Sequence, residues 1–188
     1  MICHRPSVFV AIVALCAGTL CSCSIVPPKV QQAFSGHGSW WRDTGTGGTP
    51  WMEVDLKRQT ATFYRGQNKV GVAAISSGDE RHPTPDGTYR ILEKIRDKLS
   101  NRYGHVEDAS GRVVNQDATP ASRVPAGGRY VPAPMPYWMR LTWWGIGMHQ
   151  GFLPGYAASH GCIRVDKKVV RQFYEAARVG MKVKVTGG

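Results

Sequence analysis

The sequence predicts a mainly β domain of mostly antiparallel strands, with one short α-helix after a cysteine near the carboxyl end. Three observations carry this. Apolar residues alternate with polar ones at Met52, Val54 and Leu56 and again at Ala61 and Phe63, the period of two that turns one side of a strand inward. Turn-forming residues, Lys57-Arg58-Gln59 and Gly66-Gln67-Asn68, separate these runs from each other and from a third apolar run over residues 70–75, as in an antiparallel meander. Only residues 166–178 carry a helical stripe, formed by Val169, Val170, Phe173, Tyr174 and Ala177.

The chain has 188 residues, enough for one domain with appendages. The apolar run at residues 7–20 is shorter than the ~20 residues a membrane span needs and follows Arg5, so residues 1–22 read as a secretory signal. Leu20-Cys21-Ser22-Cys23 resembles a bacterial lipobox, which implies lipidation of Cys23. Residues 23–39, with Pro27-Pro28 and two glycines, read as a tether, and residues 40–188 as the folded domain. Ser24 is not an aspartate, and the likeness to lipoproteins then implies a periplasmic protein held at the outer membrane by its lipid.

Within the domain, Trp40-Trp41 reads as an aromatic anchor in a loop. Pro83, Pro85 and Gly87 mark a turn before a strand over residues 88–95. Residues 96–131 are polar and aperiodic, which suits either a substrate-facing lid or a decoration of the domain. Most aromatic and Met side chains of residues 133–148 are expected in the core. Asp166 is placed to cap the helix, Gly180 to end it, and residues 181–185 to form a last strand.

The net charge is +11; beyond the first 23 residues, whose only charged side chain is Arg5, 23 basic groups face 13 acidic ones. Such a surface attracts anionic polymers. The basic residues are scattered, with no basic arm or binding module, so nucleic acid is not the expected partner.

Chemistry concentrates in residues 147–164. If Cys3, Cys16 and Cys21 leave with the signal and Cys23 is acylated, Cys162 is the single free thiol of the mature protein. A thiol is nucleophilic as thiolate, and a nearby imidazole can take its proton; His149 and His160 both stand close in sequence. On a strand-like backbone His160 and Cys162 face the same side. Gly161 allows a sharp turn and an oxyanion hole from the amides of Gly161 and Cys162. A helix beginning near Asp166 is expected to favour the thiolate if its amino end points at Cys162. Zinc held by His149, His160 and Cys162 lacks a fourth ligand, and papain-like peptidases place Cys before His, so neither reading is preferred.

Ser159-His160-Gly161-Cys162-Ile163-Arg164 with the upstream His149, together with Thr84-Pro85-Asp86-Gly87-Thr88-Tyr89, resembles the signature of L,D-transpeptidases with a YkuD-type catalytic domain, over residues 51–185. The resemblance implies a β-sandwich or open barrel and no metal or other cofactor. It implies that Cys162 attacks the carbonyl of the third residue of a peptidoglycan stem peptide, usually diaminopimelate, and releases the terminal D-alanine. An amine then resolves the acyl-enzyme, giving a crosslink, an anchored protein or an exchanged D-amino acid. His149 takes the role of base and His160 a supporting one, and sequence alone does not separate them. Arg164 serves a substrate carboxylate or a carbonyl cluster, Ser159 fixes the loop through its hydroxyl, and Tyr137 stands near the pocket. Gln150 and the short interval from His149 to Ser159 depart from the family pattern and bear on acceptor choice. The other readings are hydrolysis of stems or crosslinks by a carboxypeptidase or amidase, and a non-catalytic wall-binding lipoprotein. The protein is expected to act as a monomer.

Overall fold

A computed structural model describes residues 38–188; the signal, tether and Cys23 expectations lie outside the described residues. The chain runs through β1 (Trp40–Trp41), β2 (Pro50–Asp55), β3 (Thr60–Arg65), β4 (Asn68–Ser76), β5 (Gly87–Arg90), β6 (Glu93–Glu107), β7 (Val113–Ala118), β8 (Arg129–Arg140), β9 (Gly147–Gln150) and β10 (Ile163–Val165). The helix α1 (Val170–Ala176) and β11 (Lys182–Thr186) complete it. The strands form an open mixed sheet ordered β5-β11-β2-β3-β4-β10-β9-β8-β6-β7, with β1 added on β4. Two pairings, β2 with β11 and β9 with β10, are parallel; the others are antiparallel.

The expected meander is β2-β3-β4. Met52, Val54, Ala61 and Phe63 are fully buried, as their alternation requires. Residues 71–77 are all buried, so the end of β4 is apolar or small without alternation, as a strand covered on both faces must be. This strand joins the two halves of the sheet: residues 68–74 pair with β3 and residues 75–76 with β10.

Several elements depart from the sequence reading. Trp40-Trp41 is a short strand paired to Val72 and Gly71 rather than a loop. Trp41 packs edge-on against Phe63 at 5.1 Å and beside Phe173 of α1 at 5.3 Å. Gly71 leaves that space: a Cβ there would lie 2.4 Å from the Trp41 ring. The strand expected over residues 88–95 is divided, because β5 pairs with β11 while β6 joins β8 in the other half, with buried Ile91 at the crossing.

Residues 96–131 are an ordered β ribbon. β6 pairs with β8 from Glu93↔Arg140 to Glu107↔Arg129, and β7 pairs with the outer part of β6. Periodicity failed to reveal it because much of it has solvent on both faces: Leu99, Val113 and Val114 are exposed along with their polar neighbours. α1 is shorter than the expected 166–178 span. Asp166 accepts the Lys168 amide and thus caps the turn before the helix, while the helix itself has no side-chain cap. Phe173, Val170, Val169 and Ala177 lie in the core as the stripe requires.

Candidate active site

Cys162 stands one residue before β10, and His149 lies in β9, the strand paired to it in parallel: Ile163 faces Met148 and Arg164 faces His149 in register. The β8–β9 turn comes back beside the thiol. Cys162 Sγ donates to the Gly145 carbonyl at 3.4 Å. Burial pushes this thiol above its ordinary range, an effect partly offset by the Gly147 amide and the guanidinium groups of Arg164, Arg140 and Arg102. β10 and the turn at residues 166–169 lie between the cysteine and the start of α1 in the chain.

His149 is buried, and burial lowers its pKa to about 4, with Arg164 adding to the effect and the Gln150 carbonyl opposing it. Its Nδ1 lies 2.7 Å from that carbonyl, which can only accept. Nδ1 therefore carries the proton, leaving Nε2 with a lone pair. At neutral pH the site rests as thiol and neutral imidazole rather than as an ion pair.

A second wall is built from residues 77–84. Thr84 Oγ1 donates to the Gly161 carbonyl at 2.8 Å and accepts the Gly78 amide at 2.9 Å. Gly78 has no room for a side chain, since a Cβ would meet the His82 carbonyl at 2.1 Å and Gly161 Cα at 2.9 Å. The Ser77 carbonyl accepts the amides of Ala158 and Ser159, and the Asp79 amide donates to the Ser159 carbonyl. Buried Gln59, at φ +51°, holds Ser77 from behind through its amide and hydroxyl. The loop before Cys162 is thus braced mainly by main-chain bonds; Ser159, expected to act through its hydroxyl, is fixed through its backbone.

Gly161, at φ +102°, turns the chain. Its amide and that of Cys162 have no partner among the described residues, which leaves two donors for an oxyanion. The same turn breaks the alternation that would align His160 with the thiol. The His160 ring instead stacks on Tyr103 of β6 at 4.6 Å, meets the His82 ring at 4.8 Å and approaches Asp117 Oδ1 at 3.7 Å.

Arg164 is half-buried, with its stem against Gly151, where a Cβ would come within 2.7 Å. It has no carbonyl or carboxylate partner among the described residues, so the carbonyl-cluster use expected as one alternative is not made. Tyr137 packs 5.6 Å from Tyr174 of α1, with Arg96 over its ring, on the helix side of β8. The ring that reaches His149 belongs to the next residue, Trp138, at 6.0 Å. Thr84 was visible in sequence as part of the Thr-Pro-Asp-Gly-Thr segment; Gln59, Gly145 and Tyr103 carried no signal that sets them apart. Among the described residues no three His, Cys, Asp or Glu side chains converge as a metal site.

The family model of the YkuD L,D-transpeptidase catalytic domain matches residues 49–185, which include both walls of this site. Among solved structures, an L,D-transpeptidase from Mycobacterium smegmatis is 23% identical with a TM-score of 0.56, covering 76% of this chain and 60% of its own. L,D-transpeptidase 1 of Mycobacterium tuberculosis is 21% identical at a TM-score of 0.54, covering 74% of this chain and 62% of its own. The catalytic domain of the Enterococcus faecium L,D-transpeptidase is 24% identical at a TM-score of 0.53, covering 75% of this chain and 98% of its own. This chain thus spans about 60% of the length of the first of these structures. No curated protein matches it. The family match over most of the chain and the shared fold agree: this protein belongs to the L,D-transpeptidases with a YkuD catalytic domain.

Proposed function

We propose that the protein is a peptidoglycan L,D-transpeptidase in which Cys162 is the nucleophile and His149 the base. The observation that carries this reading is that Cys162, whose amide and that of Gly161 have no partner among the described residues, immediately precedes β10, and that the strand paired with β10 carries a buried His149 whose Nδ1 proton is committed to Gln150.

Cys162 Sγ attacks the carbonyl carbon of the third stem residue while its proton passes to His149 Nε2. The amides of Gly161 and Cys162 receive the carbonyl oxygen as it becomes an oxyanion. The tetrahedral intermediate collapses, the C–N bond breaks, and His149 returns the proton to the leaving D-alanine amine. The thioester is then attacked by an acceptor amine, which loses its proton through His149 and restores the thiol. Arg164, with no hydrogen-bonded or ion-pair partner among the described residues, supplies a cation for a substrate carboxylate. His160, through Tyr103, positions the loop that carries the cysteine.

The amino-terminal pattern supports export and lipid anchoring at Cys23 in the periplasm. Radiolabelled palmitate incorporated into the wild type and lost in Cys23→Ala tests this part separately.

The catalytic reading is tested by incubating the full-length protein with a defined disaccharide-tetrapeptide and an amine acceptor and identifying the products by mass. Release of D-alanine with a new amide is expected, and none with Cys162→Ala. Release without amide formation would make the enzyme a carboxypeptidase; no release, with no mass adduct on Cys162, would leave a wall-binding protein.

A further inference from the structure

A row of side chains crosses the outer sheet away from the thiol. Tyr64, Trp51, Lys182 and Arg90 occupy directly opposed register positions on β3, β2, β11 and β5, so they share one face. Tyr64 and Trp51 stack at 4.3 Å and 9°. Trp51 Nε1 donates to the Gly66 carbonyl, which fixes the indole, and the Lys182 ammonium lies 4.6 Å from the indole centroid. Arg90 is fixed by one bond to the Gly180 carbonyl at 2.9 Å. Trp51, Lys182, Arg90 and Arg178 line a cleft of about 430 Å³ whose lining includes no Asp or Glu.

What sets this cleft apart is that its cations share one concavity without an acidic side chain. Two residues along the same face, Lys184 is paired with Glu53. Arg58, Arg65, Arg81, Arg112, Arg129, Arg140 and Arg171 each have a carboxylate partner. Arg90, Arg178 and Lys182 have none among the described residues, and neither do other described cations such as Arg42, Lys69, Arg123 and Lys167; the three in the cleft are gathered into one concavity. Like charges brought together repel, so the arrangement is best satisfied by an anion from outside. Two guanidinium forks beside an ammonium match a carboxylate, which accepts bidentate bonds from arginine.

We propose that this cleft is a second, non-catalytic binding site for a carboxylate-bearing peptide of the wall polymer, holding the enzyme on its substrate while the thiol acts elsewhere. The naming of the polymer rests on the proposed function; the capture of a peptide carboxylate rests on the cleft alone. None of its lining residues belongs to the candidate active site.

Full-length protein carrying Cys162→Ala, which prevents covalent capture, is sedimented with insoluble peptidoglycan. Adding Arg90→Gln and Arg178→Gln is expected to weaken the association about tenfold, the loss of roughly one charge-assisted hydrogen bond. Arg178→Glu alone, at a side chain without a carboxylate partner among the described residues, is expected to weaken it as well. Free stem tetrapeptide should release the protein at concentrations where inorganic phosphate does not. With Cys162 intact, the Arg90→Gln/Arg178→Gln protein should turn over soluble disaccharide-tetrapeptide at the wild-type rate. Unchanged sedimentation in both variants, or release by phosphate as effective as by tetrapeptide, overturns the proposal. Loss of sedimentation in the variants from a wild type that never releases D-alanine would sustain the cleft and remove the proposed catalysis.

Discussion

The loop that carries Cys162 and the outer ribbon of β6, β7 and β8 are both irregular to a reader of the sequence, yet they are held in opposite ways. Residues 158–161 are tied to residues 77–84 by buried bonds from Ser77, Asp79 and Thr84, with Gln59 behind them. The outer ribbon has its own ladder and surface ion pairs such as Arg129 with Glu107, and meets the loop through the stack of Tyr103 on His160. One region is fixed by burial, where an unpaired polar group is expensive; the other is fixed by pairing in solvent, where each side-chain contact contributes little. Sensitivity to substitution and to pH should therefore divide along this line.

The largest effect expected is acid sensitivity confined to the buried region. His149 has a folded pKa of about 4 against an ordinary 6.5, so the unfolded chain binds the extra proton first as pH falls. Its stabilising contribution is complete above about pH 6.5 and is lost as pH falls toward 4, a total of about 3 kcal/mol. Denaturant unfolding at pH 7 and pH 4 should show that much more loss in wild type than in His149→Gln; parallel losses would mean that the imidazole is not held neutral by burial.

Next is Thr84→Val, which keeps the shape and removes the bonds to Gly161 and Gly78. A stability loss of about 2 kcal/mol is expected, with kcat/KM down by about two orders of magnitude from displacement of the Gly161 turn. Turnover at the wild-type rate would show that the brace does not set the geometry of the cysteine. The smallest effect is expected in the ribbon: Arg129→Gln should change stability by less than about 0.5 kcal/mol and leave turnover unaltered. A larger change would erase the distinction between the two regions.

The same division explains what could be read from the sequence. β2, β3, β4, α1 and β11 each bury one side or both, so their apolar spacing records the fold, and Met52, Val54, Phe63 and Phe173 all lie where that spacing puts them. The ribbon buries little of its outer length and left no period to find. Cys162 and His149 were legible because their residue types are rare and their order is specific. The surroundings of His160, stacked on Tyr103 and beside His82, were not, because they depend on residues distant in sequence and on the positive φ at Gly161. Tyr137 lies against Tyr174 and Arg96 while Trp138 is the ring beside His149, an arrangement the sequence does not reveal because the backbone of β8 takes a positive φ at Tyr137. Gln59, in a surface turn by its neighbours, could not be distinguished from an ordinary turn residue until its side chain was seen to bond Ser77.

The two-residue strand β1 has a mechanical consequence. Its Trp40 and Trp41 pair with the middle of β4, Trp41 is wedged over Gly71, and Ser39 is tied to Asp166 and Ala74. A pull on the chain ahead of Ser39 is thus delivered to the centre of the sheet, on the strand whose end pairs with β10 beyond Cys162. An antiparallel pair loaded along its length must shear its hydrogen bonds together, and here it must also draw an indole out of the core. Tension on the amino terminus would be borne by the seam of the domain before it reached the nucleophile.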